Sequence, residues 1–464
     1  MYKKKILVFI DHDVILRHFI ANETFRELDE NNNVLYVFNE DISRFDFKNN
    51  EIIKNRIREE KLRFTRIPRK RIGQWFLIYI INVFRQQRKA LKNRGSKKHY
   101  QAILEHETRQ IGKRNVFLAK VAGLPLIYQL IKFLFKKKLG IHRDVVEIFD
   151  KEKPDVIIHP SFLNGYFINE LFGITKKNNV PFIILVNSWD NCCSKAFCTG
   201  SPDKLVVWGE QAKRHARQYL GTSDEKIESF GAAQFEVYKK PPQESRAELS
   251  KIFQVDPNKK IILYAGVGAS ENETKYLSIL DNAISNSFLP NCHVLYRPHP
   301  WRGKLVNQER DFFSINWKNI SMDPTMVDYY QSILRNPDGK MFLADYLITN
   351  KLLTLVDAVI SPLSTMLIES LIKGKPALAF FPESGQNEVL RLDHIHFTEF
   401  IEIKEANSCF TEDEFLPKCK VLVNQIGDIE ISKKLMKKAK FFSSSRKKSY
   451  GLQLADLVKS IEKK

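Results

Sequence analysis

The strongest constraint on the fold is a set of short, largely apolar runs, each too short to be a helix, separated by helical or polar stretches. Ile6–Ile10, Val34–Phe38, Asp155–His159, Phe182–Asn187 and Leu205–Trp208 have this character in the first half of the chain. Continuous rather than alternating apolarity is the mark of strands buried on both faces, which parallel sheets covered by helices require. Leu16–Leu28 reads as a helix between the first two runs. Pro241-Pro242 then interrupts the chain, and the pattern restarts. Lys260–Ala265, His293–Arg297, Ala358–Ser361 and Ala377–Phe381 read as strands, with helices at Glu273–Ser285 and Thr365–Lys373. The expectation is two consecutive α/β domains, residues 1–238 and 243–464, with the last helices of the chain available to pack back on the first. Ligands in such sheets bind beyond the carboxyl ends of the strands, so the site is expected in a cleft between the two domains.

Charge is distributed unevenly. The 464 residues carry a formal net charge of +20. Between Glu51 and Arg143 there are 25 Lys or Arg and 5 Asp or Glu, which leaves 49 of each sign elsewhere. The entire excess therefore sits in residues 51–143, read as a basic helical insert in the first domain. Its apolar parts, Trp75–Phe84 and Val116–Phe135, are a short run and a run broken by Lys120, Pro125, Gln129 and Lys132, so neither suits a spanning helix. Cations flank them at Arg69–Arg71, Lys97–Lys98 and Lys136–Lys138. Two readings fit: core helices with a solvated basic face, or a surface lying on anionic lipid. Charge alone would also fit nucleic acid, but no aromatic-stacking motif or zinc finger accompanies it, so no nucleic-acid partner is expected. The first apolar run ends after five residues, too soon for a secretion signal. The expected location is cytoplasmic, peripheral at the inner face of the cell membrane.

Three turns of the second half carry chemistry. In Ile360–Glu369, a strand ends at Ser361, and Pro362, Ser364 and Thr365 lead into a helix that Gly374 stops. The N–H groups and dipole there suit a phosphate, and Glu369, one turn on, suits ribose hydroxyls; ordinary capping by Ser364 fits the same residues. In Tyr296–Pro300, two prolines hold Arg297 and His299 beyond a strand end, either as a rigid surface turn or as contacts for a diphosphate or nucleobase. Tyr264–Ser270 brings Gly266 and Gly268 to a strand-to-helix turn, compatible with close approach to a phosphate or sugar, though without the third glycine of a dinucleotide fingerprint.

Along residues 264–378 the succession YAG, RPHP, SPLST and GKPAL resembles the donor half of GT-B glycosyltransferases, in particular bacterial surface-polysaccharide transferases of the capsule and O-antigen kind. Asn187–Asn191, Asp203–Gly209 and Phe230–Phe235 resemble the closing part of that family's first domain. The resemblance implies two Rossmann-like domains facing a cleft, a nucleotide-sugar donor, and a glycan or lipid-linked glycan acceptor. By it, Arg297 and His299 bind the nucleotide phosphates, Ser364 and Thr365 take a phosphate, Glu369 takes the ribose, and Asp345, Glu383 and Gln386 are further donor-side candidates. An inverting member uses a first-domain base on the acceptor hydroxyl. Asp13 and His12 stand at the end of the first strand for that role, with Asp190 in reserve; Asp13 equally suits a plain helix cap. The same donor half serves CDP-glycerol-type polyol-phosphate transferases and nucleotide-sugar epimerases, which remain the alternatives. Neither a metal nor a resident cofactor is expected: Asp11-His12-Asp13 follows the first strand, not several, and Cys192, Cys193 and Cys198 with His159 match no four-ligand zinc spacing.

Overall fold

The computed structural model describes residues 2–40, 50–68, 70–71, 73–75, 78, 81, 85, 112–161, 167–193, 199–267, 273–300, 312–335, 345–380 and 395–462. The chain forms two compact units. The first comprises residues 1–236, 392–396 and 441–464; the second comprises residues 237–391 and 397–440. The chain thus passes between units after the second sheet as well as before it.

The first unit is built on a seven-stranded parallel sheet: β1 (Lys5–Ile10), β2 (Asn33–Asn39), β3 (Leu62–Thr65), β4 (Val156–His159), β5 (Phe182–Leu185), β6 (Lys204–Val207) and β7 (Ile227–Ser229). Their spatial order is β3-β2-β1-β4-β5-β6-β7, with β1 parallel to both β2 and β4. The order reverses at β1, so the crevice beyond β1 and β4 is where no crossover helix closes over the strand ends. Ile6, Val8, Ile10, Val34, Phe38 and Ile158 pack one core of this unit, together with Tyr450, Leu454 and Val458 of the last helix, Tyr450–Ser460. Lys4 Nζ fixes that helix end by donating to the carbonyls of Val458 at 2.7 Å and Ile461 at 2.6 Å.

The expected long helix after β1 is interrupted. Asp13–Ile15 is one α-turn, Leu16–Ile20 is wide π-type helix, and α-helix resumes only at Arg26–Asn31. Thr24 and the left-handed Glu23 (φ +52°) intervene. The apolar spacing from Leu16 to Leu28 suggests continuity because Leu16, Phe19, Phe25 and Leu28 all reach the same core. The start of the basic segment is not helical insert either. Glu51–Arg56 is a helix, but Leu62–Thr65 is edge strand β3, paired with β2. Its half-buried Leu-Arg-Phe pattern lacks the continuous apolarity by which the inner strands are read.

Past β3, the described helices α1 (Lys113–Ala122) and α2 (Pro125–Leu139) meet at a 92° bend. Gly123 ends the first and Pro125 opens the second, so no continuous helix forms across them. One face of α2 (Tyr128, with Ile131, Phe135 and Leu139) packs on Trp75, Ile78 and Ile81 in a small separate core. Its C-terminal end is fastened by a buried carboxylate. Glu170, 1% exposed on helix α3 (Ile168–Asn178), accepts from Arg71 Nε at 2.6 Å and Nη2 at 3.0 Å, from Trp75 Nε1 at 3.4 Å and from the His142 amide at 2.7 Å. Arg71 also donates to the Leu139 and Gly140 carbonyls.

The second unit carries a six-stranded parallel sheet: β8 (Lys260–Ala265), β9 (Cys292–Arg297), β10 (Ile320–Met322), β11 (Ala358–Ser361), β12 (Ala377–Phe380) and β13 (Asn407–Cys409). Its order is β10-β9-β8-β11-β12-β13, with the reversal between β8 and β11. Helix α4 (Glu273–Ser285) follows β8 and helix α5 (Met366–Ile372) follows β11. Gly374 stops α5 at φ +65°, and a Cβ there would collide with Ser432.

The Glu170 cluster predicts a stability signature. Arg71→Met strands a buried carboxylate and should cost about 3–5 kcal/mol, read as a lower urea midpoint. Arg71→Met with Glu170→Leu should recover most of it. Equal loss in single and double variants would mean that the charge pair does not dominate at this position.

Candidate functional sites at the two sheet reversals

At the reversal of the second sheet, the carboxyl ends of β8, β9 and β11 lie side by side and are bonded together. The Gly266 amide donates to the Arg297 carbonyl at 2.9 Å, and Ser361 Oγ donates to the Ala265 carbonyl at 2.8 Å. The organising group is a residue that the sequence presents only as the start of a helix. Glu273, 1% exposed, accepts the Val267 amide at 2.8 Å and the Tyr296 hydroxyl at 2.6 Å. The glycine before that amide is demanded by space: a Cβ on Gly266 would lie 2.5 Å from Glu273 Oε2. Gly268, Glu383 and Gln386 lie outside the described residues.

Arg297 ends β9 at 8% exposure. Its Nε stands 3.5 Å from Oδ2 of Asp323, which is itself fully buried and whose Oδ1 takes the Thr325 amide and hydroxyl. The Arg297 Nη1 is buried without a hydrogen-bond partner among the described residues. Such a group carries a desolvation cost of about 1–3 kcal/mol or more, which an anionic oxygen would relieve. His299 follows in the half-buried loop, whose Pro300 carbonyl accepts from the Tyr329 hydroxyl.

In the turn after β11, Ser364 does not cap the helix. Its hydroxyl pairs with that of Ser361 at 2.8 Å, and Thr365 occupies the capping position in helical conformation with no side-chain bond. Both residues are half-exposed. Glu369 is covered: it is 4% exposed and accepts from the phenol of Tyr238. Burial, then the Glu369 charge, pushes that phenol well above its ordinary pKa, so it remains a donor. Asp345 caps the helix Tyr346–Leu355 by accepting the Leu347 amide at 2.9 Å, which accounts for its position without a ligand.

At the reversal of the first sheet, Asp11 and His159 end β1 and β4 and are both fully buried. Asp11 Oδ2 lies 2.7 Å from His159 Nε2, and its Oδ1 accepts the Phe167 amide at 3.3 Å. The first carboxylate of the Asp-His-Asp triplet is thus committed inside the protein. Asp13 opens the following turn, accepts the Val14 amide at 2.9 Å, and keeps 15% side-chain exposure. His12 Nδ1 stands 3.9 Å from it, while His12 Nε2 is buried without a hydrogen-bond partner among the described residues. Burial holds the His12 imidazole below its ordinary pKa, against the opposing pull of Asp11 and Asp13, and His18 is lowered further for the same reason. Asp190, 6% exposed, lies in the turn after β5, with Asn191 Nδ2 at 3.2 Å from its Oδ1. Cys192 and Cys193 are buried, and Cys193 Sγ donates to the Asp190 carbonyl at 3.4 Å. His159 is engaged by Asp11 and is no partner for them, and Cys198 lies outside the described residues. Among the described residues, no group of three or more His, Cys, Asp or Glu is placed to share a metal ion.

These lowered histidines set a sign for pH dependence. A histidine with a depressed folded pKa takes up its proton more readily when unfolded, so its contribution to stability is lost as pH falls below about 6.5. The chain should lose stability between about pH 7 and pH 5, and His12→Gln should make that slope shallower. An unchanged slope in urea titrations would assign the pH dependence to other groups.

No family model matches this chain, and no curated protein matches it by sequence. Among solved structures, a putative UDP-N-acetylglucosamine 2-epimerase from Listeria monocytogenes aligns at TM-score 0.54 with 10% identity, over 99% of this chain and 96% of the other. The S. aureus protein MnaA, solved with UDP, aligns at 0.52 and 11%, over 98% and 96%. The wall teichoic acid polymerase TagF, solved as a point variant, aligns at 0.50 and 12%, over 98% and 88%. At this identity the likeness speaks to fold, and with the two sheets and their reversed strand orders it establishes a two-domain α/β architecture of the GT-B kind.

Proposed function

We propose that this chain is a glycosyltransferase that moves a sugar from a nucleotide-sugar donor to a surface-glycan acceptor, lipid-linked in the growing polymer, with inversion and without a metal ion. The observation that carries the reading is Arg297: a buried guanidinium at the carboxyl end of β9, one strand from the reversal of the sheet, whose Nη1 has no hydrogen-bond partner among the described residues. A donor phosphate is the ligand that such a group accepts best. His299 follows it after β9, and the hydroxyls of Ser364 and Thr365 stand beyond the end of β11, with β8 between the two strands. In this reading they meet the charge of the leaving nucleotide as the glycosidic bond breaks. Glu369 would take the ribose only if its bond to Tyr238 were exchanged for one to the ligand. Glu273, by fixing the Val267 amide and Tyr296, shapes the floor on which the donor rests.

In the first unit, Asp13 is the proposed base. It removes the acceptor hydroxyl proton while that oxygen attacks the anomeric carbon and the nucleotide departs with its phosphate oxygen. His12, held neutral by burial, is the alternative base, and Asp190 stands in reserve. The proteins of like fold include nucleotide-sugar epimerases and a teichoic acid polymerase, one of whose structures was obtained with CDPG at TM-score 0.50. Transfer of a CDP-activated polyol phosphate is therefore the second reading, and epimerisation the third. All three readings place the activated nucleotide in the second unit.

Product analysis with UDP-, CMP- and CDP-activated donors separates them: a new glycosidic bond, a new phosphodiester, or an isomerised donor with no acceptor consumed. Arg297→Gln should weaken nucleotide binding by about 10- to 100-fold in calorimetry. His299→Ala should weaken it less. Unaltered binding in both would move the donor site elsewhere. Asp13→Asn should lower turnover by about 10²–10⁴ with donor binding retained; near-normal turnover shifts the role to His12 or Asp190. Turnover should persist in excess EDTA, and a loss that added metal reverses would overturn the metal-free assignment.

A further inference from the structure

Helix α2 is apolar on two opposite faces. Tyr128, Ile131, Phe135 and Leu139 occupy the packed face, while Leu126, Leu130, Phe133 and Leu134 fall on the other at the same helical period. That second face is bare: Leu126 is 86% exposed and Phe133 61%. Phe117 and Leu118 on α1 are likewise exposed. A helix apolar all round is normally buried in a core or in lipid, and the protein itself covers only one side of this one. Between Lys113 and Arg143 there are eight Lys or Arg and no Asp or Glu. Lys113 and Arg114 begin α1, and Lys137 and Lys138 end α2, all exposed. The outer ends of the bent pair are thus cationic, and the bend between them, at Gly123 and Leu124, is apolar. Among the described residues no single helix is long and apolar enough to cross a membrane, but α1 and α2 pass that test together, bent by 92°.

We infer that the α1–α2 pair is a monotopic membrane anchor that seats its apolar face in the headgroup–acyl boundary of an anionic leaflet. Phe117, Leu118, Leu126, Leu130, Phe133 and Leu134 are the inserted side chains, and the terminal lysines pair with lipid phosphates. The anchoring charges are only in part those that the sequence suggests first. Arg71 is consumed by Glu170, Lys136 donates to the Thr199 carbonyl at 3.0 Å, and Arg69 lies outside the described residues. Apolar insertion is therefore the main attraction, and charge selects the leaflet. The inference is independent of the donor chemistry.

The full chain should co-sediment with phosphatidylcholine vesicles that contain phosphatidylglycerol, and weakly with phosphatidylcholine alone. Leu126→Ser, Leu130→Ser and Phe133→Ser combined should weaken binding by about tenfold or more with melting unchanged, since all three positions face outward. Lys137→Glu with Lys138→Glu should weaken binding mainly at low salt. In Phe133→Trp, emission should shift blue on vesicles and be quenched by brominated lipid, a readout that stands even if the triple variant fails to fold. Unchanged vesicle binding by a folded triple variant, or an introduced indole that remains open to aqueous quencher, overturns the proposal. So does a self-association that the triple variant abolishes while vesicle binding stays as before, which would make the face a contact between copies.

Discussion

A parallel strand cannot return to its neighbour by a tight turn, so every connection in these two sheets must cross a face of the sheet. The crossovers bury both faces, and both sheets consequently lack an apolar–polar alternation. All side chains within the inner strands are spent on packing. Only the strand ends remain for chemistry, and of these only the place where the strand order reverses escapes being covered by a crossover helix. In the first sheet that place belongs to Asp11, His12, Asp13 and His159; in the second it belongs to Gly266, Ser361 and Ser364, with Arg297 one strand away at the end of β9. The candidate residues therefore follow from topology before any motif is considered.

What distinguishes these strand ends energetically is the number of buried polar groups that they hold. Asp11 with His159, Arg297 with Asp323, and Glu273 with Tyr296 are each removed from water. Pairs of this kind seldom stabilise a fold more than apolar substitutes would, because desolvation offsets their attraction. Two of the pairs are also incomplete: among the described residues, His159 Nδ1 and Arg297 Nη1 lack hydrogen-bond partners. Glu170 differs. Its donors are the Arg71 guanidinium, the Trp75 indole and the His142 amide, and through them it fastens α2 to α3. The contrast between a saturated buried carboxylate and an unsaturated buried guanidinium separates a structural clamp from the group proposed to bind a ligand.

The legibility of the sequence follows the same division. Lys260–Ala265 and Ala358–Ser361 are readable to the residue, because burial on both faces leaves an unbroken apolar run and a sharp polar edge. Edge strand β3 is not readable, since a strand with one neighbour keeps polar side chains such as Arg63. The break after Ile20 is hidden because wide and regular helical turns can send the same apolar residues into one core. Among site residues, Arg297 and the Ser361–Thr365 turn are visible through the prolines and glycines that shape their loops. Glu273 is not, because a glutamate at a helix start is ordinary; only the space left by the absent side chain of Gly266 gives it away. Asp11's commitment to His159, 148 residues distant, has no local signal at all.

The position of the basic segment has a topological cause. After β3 the chain stands at the edge of the first sheet, yet its next strand, β4, lies on the far side of β1, so this connection must pass both β2 and β1. In the second sheet the corresponding connection, from β10 to β11, is likewise long and carries the helices Pro324–Arg335 and Tyr346–Leu355. A connection that is already long loses little more chain entropy when lengthened, since closure cost grows only with the logarithm of loop length. Added segments are therefore tolerated best where the strand order reverses. The first unit uses that freedom for α1 and α2, and the Arg71–Glu170 clamp restores order at the exit, where His142 hands the chain to the helix Arg143–Glu152 and so to β4. The reversal that leaves strand ends open for chemistry is thus also what makes room for an apolar, cationic surface in the same unit.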